Sequence, residues 1–246
     1  VSDPDLPPKI TPAIEKATEW IKKSQLDGGA FPGLSADNPI YGNPQAKGGY
    51  DCQLGFTALE LTALLKAKVP YMDPVIQKGL TWIRENSQRP CSTYEAAMIC
   101  VLMETIEHSL DEKGRKAREK EERKRFATVK DVKKAPQGRT EVLPDGRVRV
   151  IQDMGPSGPF KTEKESLDYM AARIQEWQLA SGAWRYGPNF SAGTDAPAEL
   201  GDVSATQYCL MGLLSAKRLG CPVKPEGIEK SANWLVDAME KSAEAR

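Results

Sequence analysis

QLDGGAF at residues 25–31 returns at residues 178–184 as QLASGAW, with the glutamine, the leucine, the second glycine, the alanine and a closing aromatic in register. A polar, turn-like heptad carries no core-forming stripe, so its repetition marks a repeated joint between larger elements. Internal repetition decides the fold before any local reading does. Gly29 and Gly182 permit a tight reversal, and Phe31 and Trp184 supply an apolar side chain to pack it down.

Working outward, the segment before each joint is also repeated. ITPAIEKATEWI (residues 10–21), MDPVIQKGLTWI (72–83) and KPEGIEKSANWL (224–235) align without gaps, and LDYMAARI (167–174) is a weaker copy with Arg173 at the tryptophan position. In the first copy Ile14, Ala17, Trp20 and Ile21 fall on one helical face, with Lys16, Glu19, Lys22 and Lys23 on the other. Thr11-Pro12 and Asp73-Pro74 read as an N-cap followed by a proline in the first turn. These are amphipathic helices with one wet face.

A second, more apolar type follows. TALELTALLKAK (57–68) and TQYCLMGLLSAK (206–217) align without a gap, and TYEAAMICVLMETI (93–106) has the same character. Their apolar residues are not confined to a stripe, the pattern of a helix buried on most sides. The alternation predicts helices over residues 11–24, 55–68, 73–86, 93–108, 165–177, 203–219 and 225–241. Such hairpins cannot bury their faces alone, so they stack side by side, with amphipathic helices outside and apolar helices inside. The expected fold is all-α, one domain over residues 1–246 interrupted by an insert at 110–165.

Composition bounds the function. Lys+Arg and Asp+Glu are equal at 34 each, so the whole chain carries no bias toward nucleic acid or anionic membrane. No stretch approaches the roughly 20 apolar residues of a membrane-spanning helix. Five cysteines, Cys52, Cys91, Cys100, Cys209 and Cys221, are an odd number, and three have apolar surroundings, which suits unpaired core thiols better than a disulfide framework. The chain begins at Val1 without a signal peptide and reads as a processed product, leaving its compartment, cytoplasmic or exported, open.

The joint QLxxGA[F/W], the aromatic-bearing helix before it and the inner helix opening GDVSATQYCLMGL resemble the repeats of squalene–hopene cyclases, oxidosqualene cyclases and protein prenyltransferase β-subunits. The nearest resemblance is to bacterial prenyltransferase/squalene oxidase repeat proteins, and it covers residues 11–109 and 165–241. It implies an α/α toroid of stacked helical hairpins, here an incomplete ring of about four repeats. It also implies that Gln25 with Phe31, and Gln178 with Trp184, bridge neighbouring repeats. After Trp82 the chain reads ENSQRPCSTY, where Gln88 has no matching glycine or aromatic, so that joint is expected to be altered.

The chemistry such a family would need is sparse. Bacterial squalene cyclases use an Asp-x-Asp-Asp motif, which this chain lacks. Asp51-Cys52 resembles the Asp-Cys of oxidosqualene cyclases, but Gln53-Leu54 follow, and Asp51 reads more simply as the N-cap of an inner helix, as does Asp202 with Ser204 and Thr206 beside it. Glu60 and Glu95 lie in apolar helices. Either burial raises their pKa and makes them candidate acids, or they are solvated or paired near Lys66 or Arg84. A prenyltransferase-like zinc would need Asp, Cys and His. His108 is the single histidine and has no nearby cysteine in sequence, so neither metal nor cofactor is expected. GGAFPG and GPSGPF lack a phosphate-loop lysine, and no Gly-x-Ser-x-Gly elbow occurs.

The insert differs in composition. Glu112 to Lys116 and Glu119 to Arg123 have helix-stabilising i, i+4 spacing, and TEVLPDGRVRVIQD flanks Pro144-Asp145-Gly146 with two alternating segments, a β-hairpin pattern. Basic residues from Arg115 to Arg149 crowd it, either as a solvated run or as a partner-binding arm, and interleaved glutamates argue against specific nucleic-acid binding. Two functional expectations follow. The first is a non-catalytic binding or scaffold module that receives a hydrophobic or isoprenoid ligand, or a protein partner, in an inner-helix groove. The second is a cyclase-like enzyme with Asp51 or Glu60 as proton donor.

Overall fold

The structure is a computed structural model in which residues 10–33, 52–88, 92–128, 140–142, 148–150, 160–186 and 201–244 are described. The fold is all-α. Among the described residues the chain forms eight helices: α1 (Ile10–Ser24), α2 (Gln53–Lys66), α3 (Pro74–Asn86), α4 (Thr93–Ser109), α5 (Glu112–Thr128), α6 (Glu163–Glu176), α7 (Val203–Arg218) and α8 (Pro225–Glu244). Two short strands, β1 (Thr140–Val142) and β2 (Val148–Val150), pair antiparallel with Glu141 opposite Arg149. The Pro144-Asp145-Gly146 turn expected between them lies outside the described residues.

The apolar helices α2, α4 and α7 pack side by side with α4 in the middle. The amphipathic helices lie against this row, α1 and α3 on α2, α6 on α4 and α7, and α8 on α7. Small residues set the close spacing of the row. A Cβ at Gly212 of α7 would sit 2.8 Å from the Ala97 Cα of α4, and one at Gly55 of α2 would sit 2.8 Å from the Glu95 Cγ. One hydrophobic cluster runs through the helices from Phe31 to Val223.

The two joints are built alike. In the first, Leu26 N–H donates to the Ala30 carbonyl and Gly29 N–H to the Leu26 carbonyl, both at 2.8 Å; in the second, Leu179 and Gly182 make the equivalent bonds at 2.9 Å. Gln25 Nε2 donates to the Gly29 and Val75 carbonyls at 2.9 Å. Gln178 Nε2 donates to the Gly182 carbonyl at 2.9 Å and the Gly227 carbonyl at 2.8 Å, and it also meets Ser231 Oγ at 2.9 Å. Val75 and Gly227 hold the same place in the aligned outer helices, so each amide ties its own turn to the next outer helix. The closing aromatics are fully buried, and their N–H groups donate to equivalent threonines, Phe31 to Thr57 Oγ1 at 3.0 Å and Trp184 to Thr206 Oγ1 at 2.9 Å. Each such ring removes enough apolar surface from water to contribute about 2–3 kcal/mol.

The joint after α3 works differently. Ser87 stands where the α1 and α6 repeats have glutamine, and its hydroxyl donates back to the Ile83 carbonyl at 2.6 Å. The link to the next outer helix is instead a buried ion pair, Arg84 Nη1 to Glu163 Oε1 at 2.5 Å, backed by Phe160 N–H donating to the Arg84 carbonyl at 3.1 Å. The sequence offered Arg84 only as a neighbour of Glu60 or Glu95, and Glu163 did not stand out.

Two expectations need correction. Trp20, read as part of the buried stripe of α1, is 68% exposed, and Ala17 is exposed with it; Ile14, Thr18 and Ile21 are the half-buried residues. Its repeat partner Trp82 packs against the core. Helix α2 starts earlier than expected, and Cys52, left-handed at φ 52° with no side-chain cap bond, takes the N-cap position. Asp51, the expected cap, lies outside the described residues.

Adjacent glycines should separate turn geometry from general tolerance. Gly29 has φ 98° and an added Cβ would lie 2.5 Å from the Lys78 carbonyl oxygen, whereas a Cβ at Gly28 meets nothing within 4 Å. Gly29→Ala is expected to lose more than about 2 kcal/mol and Gly28→Ala less than about 0.5 kcal/mol in denaturant unfolding. Arg84→Met, which strands the buried Glu163 carboxylate, is expected to cost about 3–5 kcal/mol, and Arg84→Met with Glu163→Met to recover most of it.

Candidate functional site

Large apolar side chains are exposed on several helices, Trp20, Val236 and Met239 among them, and one group belongs to the inner helices α2 and α7. Leu59 of α2 and Tyr208 of α7 hold the same repeat position and both are exposed, as are Met211 and Val203 of α7, while Tyr94 and Val101 of α4 are half-buried between them.

At the N-terminal ends of α4 and α7 three tyrosines converge. The Tyr94 ring stacks on Tyr186 with centroids 5.7 Å apart and meets Tyr208 at 5.1 Å in a tilted arrangement. Tyr186 is held there by the segment leaving the second joint. Thr93 N–H donates to the Tyr186 carbonyl at 3.1 Å, Thr93 Oγ1 to the Arg185 carbonyl at 2.6 Å, and Asp202 N–H to the Trp184 carbonyl at 2.8 Å. Asp202 is the N-cap of α7: its Oδ1 accepts from Ala205 N–H at 2.6 Å and from Ser204 Oγ at 2.8 Å. The phenols of Tyr94 and Tyr186 reach the same carboxylate at 3.4 Å, and Tyr94 also makes a short hydrogen bond with Ser204. Burial, chiefly, with the Asp202 charge adding to it, pushes the Tyr94 phenol up to about 12.

Toward the other end of the face, Glu104 accepts from Ser215 Oγ at 2.6 Å and Arg218 Nη1 at 3.0 Å. Burial pushes its carboxyl up, but the Ser215 hydroxyl, Arg218 and the nearby His108 outweigh that and hold it below the ordinary range. His108 itself is exposed on the last turn of α4. Among the described residues no three His, Cys, Asp or Glu side chains gather as a metal would require. Cys100 and Cys209 are buried thiols pushed well up by desolvation, and burial with Asp168 beside it raises Cys221 to about 11. None has the depressed pKa of a nucleophilic thiol.

The two carboxyl candidates separate. Glu95 is buried but belongs to a capping box: Ser92 N–H donates to Glu95 Oε2 at 2.7 Å and Glu95 N–H to Ser92 Oγ at 3.3 Å. It starts α4. Glu60 is half-buried on α2, and desolvation raises its carboxyl above the ordinary value. The turn residues Gln25, Gly29, Phe31, Gln178, Gly182 and Trp184 all lie at the joints. The tyrosine cluster went unnoticed in the sequence because Tyr94, Tyr186 and Tyr208 come from three segments; only Tyr94 and Tyr208, near the starts of inner helices, left any signal.

No helix among the described residues is long and apolar enough to cross a membrane. No family model, characterised protein or solved structure matches the chain.

A raised carboxyl adds stability that is complete below its unfolded value and lost as pH rises through the folded one. Glu60→Gln should therefore unfold at a higher temperature than wild type at pH 8, and the gap should close as pH falls below 4.5, the ordinary carboxyl value. Thermal melts across that range are the measurement.

Proposed function

We propose that this chain is a non-catalytic binding or scaffold module of the squalene-cyclase/prenyltransferase-like repeat kind, built as an incomplete α/α toroid, and that the open face of α2, α4 and α7 receives an apolar ligand or partner. The observation that carries this reading is the exposed set on that face, with Tyr94, Tyr186 and Tyr208 in mutual contact beside Met211. Rigid aromatic rings give contact area at small entropic cost, and exposed apolar groups so grouped mark binding surfaces. The helix order, with apolar helices in a row under amphipathic ones, supports the toroid, and the duplicated glutamine joints support the family.

Two carboxylates that could have served as acids are engaged as helix caps, Asp202 on α7 and Glu95 on α4. Glu60 supports the second reading, a cyclase-like enzyme acting on isoprenoids, since a desolvated carboxyl on an inner helix keeps its proton more readily than an exposed one. Asp51, the other candidate donor, lies outside the described residues.

The two readings separate on titration with squalene or a prenyl diphosphate, followed by tyrosine and tryptophan fluorescence and by product analysis. The module reading expects saturable binding, weakened at least about 10-fold by Tyr208→Ala, with ligand recovered unchanged. Turnover abolished by Asp51→Asn or Glu60→Gln would establish the enzyme instead.

A further inference from the structure

The polar end of the tyrosine cluster has a direction, set by where its protons go. Asp202 Oδ1 accepts from Ala205 N–H at 2.6 Å and from Ser204 Oγ at 2.8 Å. Ser204 has one proton and gives it to Asp202, so in its short bond with Tyr94 the phenol is the donor. Tyr94 also reaches Oδ1 at 3.4 Å, and the Tyr186 phenol donates to Oδ2 at 3.4 Å. Burial and the Asp202 charge push the Tyr94 phenol up to about 12, so its proton stays in place at neutral pH. The hydroxyl protons of Tyr94, Tyr186 and Ser204 are thus spent on one carboxylate, and the cluster turns lone pairs outward.

That carboxylate is short of donors. Oδ1 is engaged by the α7 cap, but among the described residues Oδ2 receives the long phenol bond alone, and no lysine or arginine pairs with Asp202. The α7 N-terminus offsets roughly half of its unit charge, which leaves the cluster negative. Beside it Tyr186 and Tyr208 are 44% and 37% exposed, and the faces of their rings carry the negative part of the aromatic quadrupole. Ser204, Tyr208 and Met211 follow at i, i+4 and i+7 and are all exposed, a stripe of α7 about 10 Å long that leads from the carboxylate to apolar surface.

We infer that this site takes a protonated amine with an apolar tail, the ammonium donating to Asp202 Oδ2 beside the Tyr186 and Tyr208 rings and the tail lying along α7 toward Met211. The inference rests on the reading of that surface as a binding site for apolar ligands, and it specifies the polar end. A neutral alcohol can donate one hydrogen bond but gains little from the charge or the ring faces. A carboxylate or phosphate brings acceptors to acceptors and like charge to like. An ammonium suits all three features, because it has donors only, a positive charge and an attraction to aromatic faces.

Calorimetric titration of the whole chain at pH 7 with n-octylammonium, octanol and octanoate tests this. Octylammonium is expected to bind at least about 10-fold more tightly than octanol, and octanoate more weakly than either. Asp202→Asn removes the charge but keeps a good N-cap. It should weaken octylammonium at least about 10-fold, change octanol by less than about 2-fold and leave the far-ultraviolet circular dichroism unaltered. Tyr208→Leu, an exposed change that keeps apolar surface but removes a ring, should also weaken octylammonium more than octanol. Equal binding of the three probes, or octylammonium binding that Asp202→Asn leaves unchanged, overturns the amine while the apolar site stands. If none of the three binds, the binding surface itself is refuted and the amine with it.

Discussion

The glutamine amide at each joint is the interaction on which the layered arrangement depends. Each joint brings a turn carbonyl and a carbonyl in the first turn of the next outer helix to the same place, and a neutral side chain with two N–H donors can bind both at once. Gln25 and Gln178 do so across a repeat boundary, each holding its own turn and the next outer helix. The spacing between outer helices is therefore set by the length of one side chain. Positive-φ glycines follow from this, because the turn must come within contact of the next helix backbone at Lys78 and Lys230.

Where the glutamine is absent, charge takes over. Arg84 and Glu163 connect α3 to α6 across the insert, and both are buried. A buried pair specifies geometry at the cost of desolvating two charges, while the amide joint specifies it with neutral groups. The insert enters the chain one helix later, between α4 and α6, and the ion pair ties the start of α6 to α3.

Exposure locates the functional surface. Helices α2 and α7 keep exposed apolar side chains at Leu59, Val203, Tyr208 and Met211. The N-termini of α4 and α7 bring hydroxyl and carboxylate groups to that surface as caps, and the tyrosines pack around them. A surface that is aromatic with a fixed polar end suits recognition of a mostly apolar molecule with one polar group.

The sequence by itself determined the helix types, their order and the two duplicated joints, because each depends on local periodicity or on a short motif: α3 and α7 begin and end within a residue of their expected limits. It could not separate Trp20 from Trp82, identical in repeat position, since exposure depends on whether a neighbouring helix is present. It offered Glu95 as either a buried acid or a solvated or paired carboxyl, and the residue is buried as half of a local capping box with Ser92. Nor did it reveal Arg84 with Glu163 or the three tyrosines, whose partners lie far apart along the chain. Local pattern encodes which side of a helix is apolar; only packing decides what covers that side, and so which charges are paired and which rings are left open to a ligand.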